Sequence, residues 1–215
     1  SLWGLSYLQP YCNLSFHYIL FGYQQSLPIV LKLGPDARSL DKESRALEAF
    51  AGYGGISILA RTKNAILLQR AMPGISLKGH PKALEIACRV VEKLHLAPFP
   101  IQDRFPHIDD WLAALDKEWD IPKLHLEKAR ELKNRLLKTD TIPVLLHGDL
   151  HQDNILSNGE DWLVIDPKGV IGFPINELWA CVENPSHDLA YLSKHFHYPF
   201  DYVAGWYYVH LILAA

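Results

Sequence analysis

The sequence predicts an α+β fold in two unequal lobes, a small sheet-rich lobe over residues 1–72 and a larger, mainly helical lobe over residues 73–215. Three observations carry this expectation. The first third alternates β-branched and aromatic runs with Gly-containing turns and holds a single helical segment. From Pro81 the apolar spacing changes to three and four residues, as Leu84, Ala87, Cys88, Val91 and Leu94 recur on one helical face. A second pair of short apolar strands, around Asn158-Gly159, then interrupts the helical part.

In order along the chain, Phe16 to Phe21 and Pro28 to Leu33 are written as a hairpin around the Gly22 to Ser26 loop. A helix follows with Ser39 as N-cap, Asp41 and Glu43 in its first turn, and Gly52 to Gly55 ending it. Ile56 to Leu59 and Ala65 to Gln69 are two short strands around Lys63-Asn64, and Met72-Pro73-Gly74 breaks the pattern at the lobe boundary. Helices are expected from Ile108 to Glu118 and from Lys123 to Leu137. Pro143 to His147 is a short β segment, and Ile155-Leu156 pairs with Trp162 to Ile165 across Asn158-Gly159. Val203 to Ala215 is apolar but shorter than the roughly 18 residues of a membrane span and is interrupted by His210, so it reads as a buried core helix and no membrane partner is expected.

Composition excludes some classes of function. With 215 residues, about half of them apolar, the chain can bury a substantial core. A net charge of −3 lacks the concentrated Lys/Arg surface that neutralising phosphates requires, so nucleic acid is not an expected partner. Cys12, Cys88 and Cys181 are odd in number, far apart and set among apolar residues, the pattern of buried free thiols in a reducing cytoplasm. The chain begins at Ser1 without a methionine and stops inside an apolar helix, so both ends read as trimmed.

The densest polar cluster, His147-Gly148-Asp149-Leu150-His151-Gln152-Asp153-Asn154, lies between two apolar strands. Asp149 and Asn154 have the Asp-x-x-x-x-Asn spacing of a kinase catalytic loop, where the aspartate accepts the attacking hydroxyl's proton and the asparagine oxygen binds magnesium. The following hairpin ends in Val164-Ile165-Asp166 and returns Asp166 toward Asn154, giving two oxygen ligands of the kind Mg²⁺ accepts while keeping its waters. On the other lobe Val30 and Lys32 share a strand face that should be apolar, so Lys32 requires a partner. Glu43 sits in the helical stripe of Leu40, Leu47 and Phe50, at about 100° per residue, whereas Glu48 lies off it; the pair is assigned as Lys32–Glu43.

His147-Gly-Asp-Leu-His-Gln-Asp-Asn154 resembles the HGDxHxxN loop of the aminoglycoside phosphotransferase family. Ile165-Asp166-Pro167-Lys168-Gly169, with Gly172-Phe173-Pro174 and Glu177, resembles that family's streptomycin 6-kinase and hydroxyurea kinase branch. The two motifs stand in the right order, 17 residues apart from Asp149 to Asp166, and weaker similarity runs through Val30 to Leu33, Pro73-Gly74, Asn184-Pro185 and Trp206. The resemblance implies a two-lobed protein-kinase-like fold and a cytoplasmic enzyme that uses ATP and Mg²⁺ to phosphorylate a hydroxyl of a small molecule. A streptomycin-like aminoglycoside or a hydroxyurea-like compound is implied as substrate, and antibiotic resistance as the role.

On that reading Asp149 is the base, Asn154 and Asp166 the metal ligands, and Lys32 and Glu43 the phosphate-binding pair. Adenine meets the linker from Gln69 through Ala71 to Met72. No GxGxxG precedes Lys32; Asn13 to Phe16 stands where the turn over the phosphates belongs, with the Ser15 hydroxyl as a donor. A cationic acceptor would want carboxylates, which Glu177, Glu183 and Asp188 follow closely enough to supply. Two other readings stay open: a kinase-fold protein that binds nucleotide without catalysis, and a metal-dependent hydrolase built on the alternating His147, Asp149, His151 and Asp153. Nothing in the sequence sets the oligomeric state.

Overall fold

A computed structural model describes residues 3–11, 17–98, 105–138 and 142–215. Five antiparallel strands form one sheet: β1 (Leu5–Pro10), β2 (Tyr18–Gln24), β3 (Leu27–Leu33), β4 (Ile58–Thr62) and β5 (Ala65–Gln69), in the order β1-β2-β3-β5-β4. Helix α1 (Ala37–Ala49) packs on one face, where Leu40 and Leu47 meet Ile66, Leu68 and Val30. The opposite face holds Ile29, Leu31, Ala65 and Leu67, the alternation that period-2 side chains impose.

Several boundaries differ from the sequence expectation for local reasons. The β2–β3 ladder runs from Tyr18↔Leu33 to Gln24↔Leu27, so Gly22 lies inside a strand and the turn is Gln25-Ser26, with Gln25 at φ +55°. The expected strand start, Phe16, lies outside the described residues. Helix α1 starts earlier than expected: Asp36, not Ser39, is the N-cap, its Oδ1 accepting from the N–H groups of Arg38 and Ser39 at 3.0 and 3.3 Å. Strand β1 was not expected at all. It mixes polar and apolar residues and is irregular between Ser6 and Gln9, with Tyr7 at φ +52°.

After β5 the pairing changes partner. Strand β6 (Pro73–Ser76) leaves the five-stranded sheet and joins β8 (Ile155–Asn158) and β9 (Asp161–Val164) in the order β6-β8-β9. Asn158 pairs with Asp161, which centres the hairpin turn on Gly159-Glu160, one residue beyond the sequence expectation, with Gly159 at φ +62°.

The remaining elements are α2 (Ala83–Leu94), α3 (Ile108–Leu112), α4 (Lys123–Leu136), β7 (Val144–Leu146), β10 (Val170–Gly172), α5 (Pro185–His195) and α6 (Phe200–Ala214). The expected Ile108 to Glu118 helix is α only to Leu112 and continues as a 3₁₀ turn over Ala113–Asp116. The apolar end of the chain is α6, whose Val203, Trp206 and Val209 are buried in the main core with Leu126, Ala129 and Leu136 of α4. No helix among the described residues is long and apolar enough to cross a membrane. Cys88 and Cys181 are buried free thiols, and Cys12 lies outside the described residues.

Candidate active site

The polar run after β7 is built by bonds to buried groups. The carboxylate of Glu177, fully buried in a 3₁₀ segment (Pro174–Cys181), accepts the backbone N–H of His147 with one oxygen and that of Gly148, at 3.0 Å, with the other. The His147 carbonyl in turn accepts the N–H groups of Lys168 and Gly169 at 2.8 and 3.2 Å, fastening the loop to the Asp166-Pro167-Lys168-Gly169 turn. Burial pushes the His147 imidazole down to about 4, so the ring is neutral near pH 7. Its Nδ1 accepts the Asp149 N–H at 3.3 Å, which leaves the proton on Nε2 to be donated to the Ile165 carbonyl at 2.8 Å.

Gly148 makes the turn at φ +82°, where a Cβ would lie 2.9 Å from the Trp111 ring. The outcome is a half-buried Asp149 carboxylate next to His151 Nε2 at 3.9 Å and Lys168 Nζ at 3.6 Å.

Asn154 closes the loop. Its Nδ2 donates to the Asp149 carbonyl at 2.8 Å and contacts His151 Nε2 at 3.1 Å, an orientation that leaves the amide oxygen as its acceptor for a further group. The Asn154 carbonyl accepts the Ile165 N–H at 3.0 Å, so the start of β8 and the end of β9 bring Asn154 and Asp166 together.

Lys32 reaches into this region from β3. Its ammonium, on a side chain only 5% exposed, donates to Glu43 Oε2 at 2.6 Å and Asp166 Oδ1 at 2.8 Å. Burial alone lowers the Lys32 pKa, but Glu43 and Asp166 together outweigh it and hold it above the usual lysine range. Asp166 is also pushed up by burial, and Lys32 brings it below the ordinary carboxylate value. Glu43 goes the other way: burial pushes it up to about 7 against the pull of Lys32, and its Oε1 is buried without a hydrogen-bond partner. One ammonium is shared between two carboxylates, and with the Asn154 amide lining the same cleft this oxygen set fits a divalent cation taking hard oxygen ligands, as Mg²⁺ does.

A cleft of about 1480 Å³ runs between the two sheets and is lined by Lys32, Glu43, Asn154 and Asp166. One part is an apolar slot of Val30, Ile56, Leu68, Leu156 and Ile165, ending at the linker residues Gln69 and Ala71. Ser15 and the expected phosphate turn, Asn13 to Phe16, lie outside the described residues. Tyr11 and His17 adjoin that segment and line the cleft.

The acidic residues expected to face an acceptor are not among those lining the cleft. Glu177 spends both oxygens on the loop backbone, and burial pushes its pKa up to about 7. Asp188 Oδ2 accepts the N–H groups of Glu183 and Asn184 at 3.0 and 2.8 Å, ahead of α5. Glu183 is exposed, and none of the three lines the cleft. The alternating His147, Asp149, His151 and Asp153 do not converge as a metal cluster either. His147 turns inward, Asp153 pairs with Lys78 at 2.9 Å, and no group of three or more His, Cys, Asp or Glu fit to hold a metal occurs among the described residues.

Cleft residues that sequence reasoning passed over are Trp111, Lys168 and, on α1, Arg38 and Lys42. Lys168 stood within a quoted motif; the others carry no local signal, because their place depends on how the lobes face each other.

The family described as "Aminoglycoside/hydroxyurea antibiotic resistance kinase" matches residues 17–197. Streptomycin 3''-kinase of Klebsiella pneumoniae is 32% identical over 162 residues, covering 69% of this chain and 58% of that protein. Methylthioribose kinase of Geobacillus thermodenitrificans is 34% identical over 98 residues, covering 43% of this chain and 24% of that protein. This chain thus spans under two thirds of the length of either relative. Among solved structures, a thermostable mutant of an aminoglycoside phosphotransferase in ternary complex with ADP and hygromycin B superposes with a TM-score of 0.74. It is 16% identical and covers 99% of this chain and 86% of its own, a likeness of fold.

Proposed function

This chain belongs to the aminoglycoside/hydroxyurea antibiotic resistance kinase family, and from that premise we propose that it transfers the γ-phosphoryl group of ATP to a hydroxyl of a small molecule. The observation that carries the reading is the meeting of Lys32, Asp166 and Asn154 in one cleft, with Asp149 held beside it by the Glu177-braced loop. Residues 1–72 then act as the nucleotide lobe and residues 73–215 as the lobe that supplies the base and the acceptor site.

In the mechanism, adenine lies in the slot of Val30, Ile56, Leu68, Leu156 and Ile165 against Gln69 and Ala71, and Lys32, steadied by Glu43, binds the phosphates. Asn154 and Asp166 would hold Mg²⁺, which when bound neutralises charge on the phosphate oxygens. Asp149 accepts the acceptor's hydroxyl proton as the new P–O bond forms. The bond from the γ-phosphorus to the bridging oxygen breaks, and its electron pair leaves with ADP. The acceptor we propose is a streptomycin-like aminoglycoside or a hydroxyurea-like compound, which makes resistance the role and the cytoplasm the place of action.

Labelled ATP offered with streptomycin, hydroxyurea and simple amino alcohols tests the reading. Asp149→Ala should lower transfer by roughly 10²–10⁴ while nucleotide still binds. Transfer undiminished in that variant removes Asp149 from its role, and nucleotide binding with no transfer by the unaltered protein points to a non-catalytic kinase fold.

A further inference from the structure

Lys168 is a cation of the cleft to which the proposed function gives no task. Its backbone is fixed on both sides. The Lys168 N–H donates to His147 O at 2.8 Å, Pro167 restricts the preceding dihedral, and Gly169 turns at φ +65°, where a Cβ would lie 2.9 Å from Ala46 Cβ and the Phe105 ring. The side chain, by contrast, is 57% exposed, and its Nζ stands 3.6 Å from Asp149 Oδ2, beyond ordinary hydrogen-bond length. An exposed pair at that distance adds little to stability. That favours a lysine whose partner arrives with the substrate.

The charges nearby show which partner. Lys32 is held under 3 Å from both Glu43 and Asp166 and is buried, so it cannot follow a group that travels toward Asp149. Lys168 starts two residues after Asp166 and ends at Asp149, spanning the path from the proposed metal ligand to the proposed base. We propose that Lys168 is a catalytic residue whose ammonium binds the non-bridging oxygens of the γ-phosphoryl group in transit, an inference that rests on the phosphotransferase reading. The lysine changes no bond itself. The β,γ-bridging P–O bond breaks toward ADP, the P–O bond to the acceptor oxygen forms, the proton passes to Asp149, and Lys168 stays protonated while its three N–H groups shift from the Asp149 edge to the phosphoryl oxygens.

The test compares the unaltered protein with Lys168→Met and Lys168→Arg, using Mg·ATP with water or streptomycin as acceptor and AMP-PNP for binding. Lys168→Met should lower kcat by roughly 10²–10³, the loss seen when one donor to a developing oxyanion is removed, with AMP-PNP affinity within about threefold. Lys168→Arg should recover about tenfold or more of that loss, since arginine also donates to phosphate oxygens. The loss should persist across the pH profile.

A kcat equal to that of the unaltered protein overturns the proposal. So does a loss that vanishes at high pH, because a lysine that only tunes Asp149 shifts the acid limb and nothing else. A matching fall in thermal stability with no recovery by arginine marks a structural role and also overturns it. Absence of any Mg·ATP turnover in the unaltered protein is a separate result, which removes the phosphotransferase reading and Lys168's role with it.

Discussion

Replacing Lys32 by methionine keeps the length of the side chain and removes the charge that two carboxylates share. The bonds lost, at 2.6 Å to Glu43 and 2.8 Å to Asp166, are charge-assisted and worth about 1.5–3 kcal/mol each before relaxation. Relaxation depends on pH. Glu43 is pushed up to about 7 from an ordinary 4.5 by burial, so at pH 6 it carries a proton and can share it with Asp166. The expected loss of stability there is about 2 kcal/mol. A carboxyl whose folded pKa is raised favours folding less as pH climbs from its unfolded value toward the folded one. Removing Lys32 removes the pull that lowers Glu43, so in the variant this decline continues beyond pH 7, adding about 1.4 kcal/mol per pH unit. By pH 8.5 the total should reach about 3–5 kcal/mol, the usual cost of breaking a buried ion pair. Urea denaturation followed by tryptophan fluorescence at pH 6 and 8.5, with equal slopes for both proteins, reads the difference directly. A loss below about 1 kcal/mol at pH 8.5, or one that does not grow with pH, would refute the view of Lys32 as the main counter-charge to Glu43 and Asp166.

Three other outcomes are expected. Gly148→Ala places a non-glycine residue at φ +82° with its Cβ 2.9 Å from Trp111, and should cost about 2–4 kcal/mol in urea denaturation from strain and overpacking together; an unchanged midpoint would show that the loop tolerates a different path. His210 is lowered to about 3 by burial, below its unfolded value of 6.5, so its share of stability is complete above pH 6.5 and lost as pH falls. His210→Gln should therefore narrow its gap to the unaltered protein by about 2 kcal/mol between pH 6.5 and 5.0, and a constant gap counts against it. Asp166→Asn should weaken magnesium-dependent binding of AMP-PNP by about tenfold or more and magnesium-free binding far less; equal effects would remove Asp166 as a ligand.

The parts of this site that were legible in the sequence are those fixed by short chain segments. The Asp149 to Asn154 spacing lies in one loop, Asp166 follows on the next strand, and the Lys32–Glu43 pair follows from two local periodicities, the alternation of β3 and the stripe on α1. What escaped depends on tertiary contact. Strands β7 and β10 are three residues each, too short to show a period, and they pair through Val144↔Gly172 and Leu146↔Val170 across 24 or more residues. Glu177 sat in a motif, but only the fold reveals that its carboxylate serves the His147 and Gly148 amides rather than an acceptor. Its charge and its place shortly after Asp166 suggested a substrate role, since burial cannot be read from a charge in a loop. Asp36 was passed over as the helix cap because Ser39 starts an equally acceptable pattern, and only the backbone turn decides between them.

Strand β6 has a mechanical consequence. Pro73 pairs with Asn158, Met72 N–H donates to Asn158 Oδ1 at 3.1 Å, and Gly159 N–H donates to Met72 O at 2.7 Å, so the linker is fused to the β8–β9 hairpin. At the other end of that hairpin, Ile56 N–H donates to Val164 O at 3.0 Å and Val164 N–H to Gly54 O at 2.8 Å. The lobes are thus pinned at two points, and any rocking that keeps both pins must turn about the line joining them. Residues on that line keep their spacing through such a motion, while those farther out swing in proportion to their distance from it. The hairpin is in effect the pintle between the lobes, and stiffness there sets how wide the mouth can open without breaking a backbone bond.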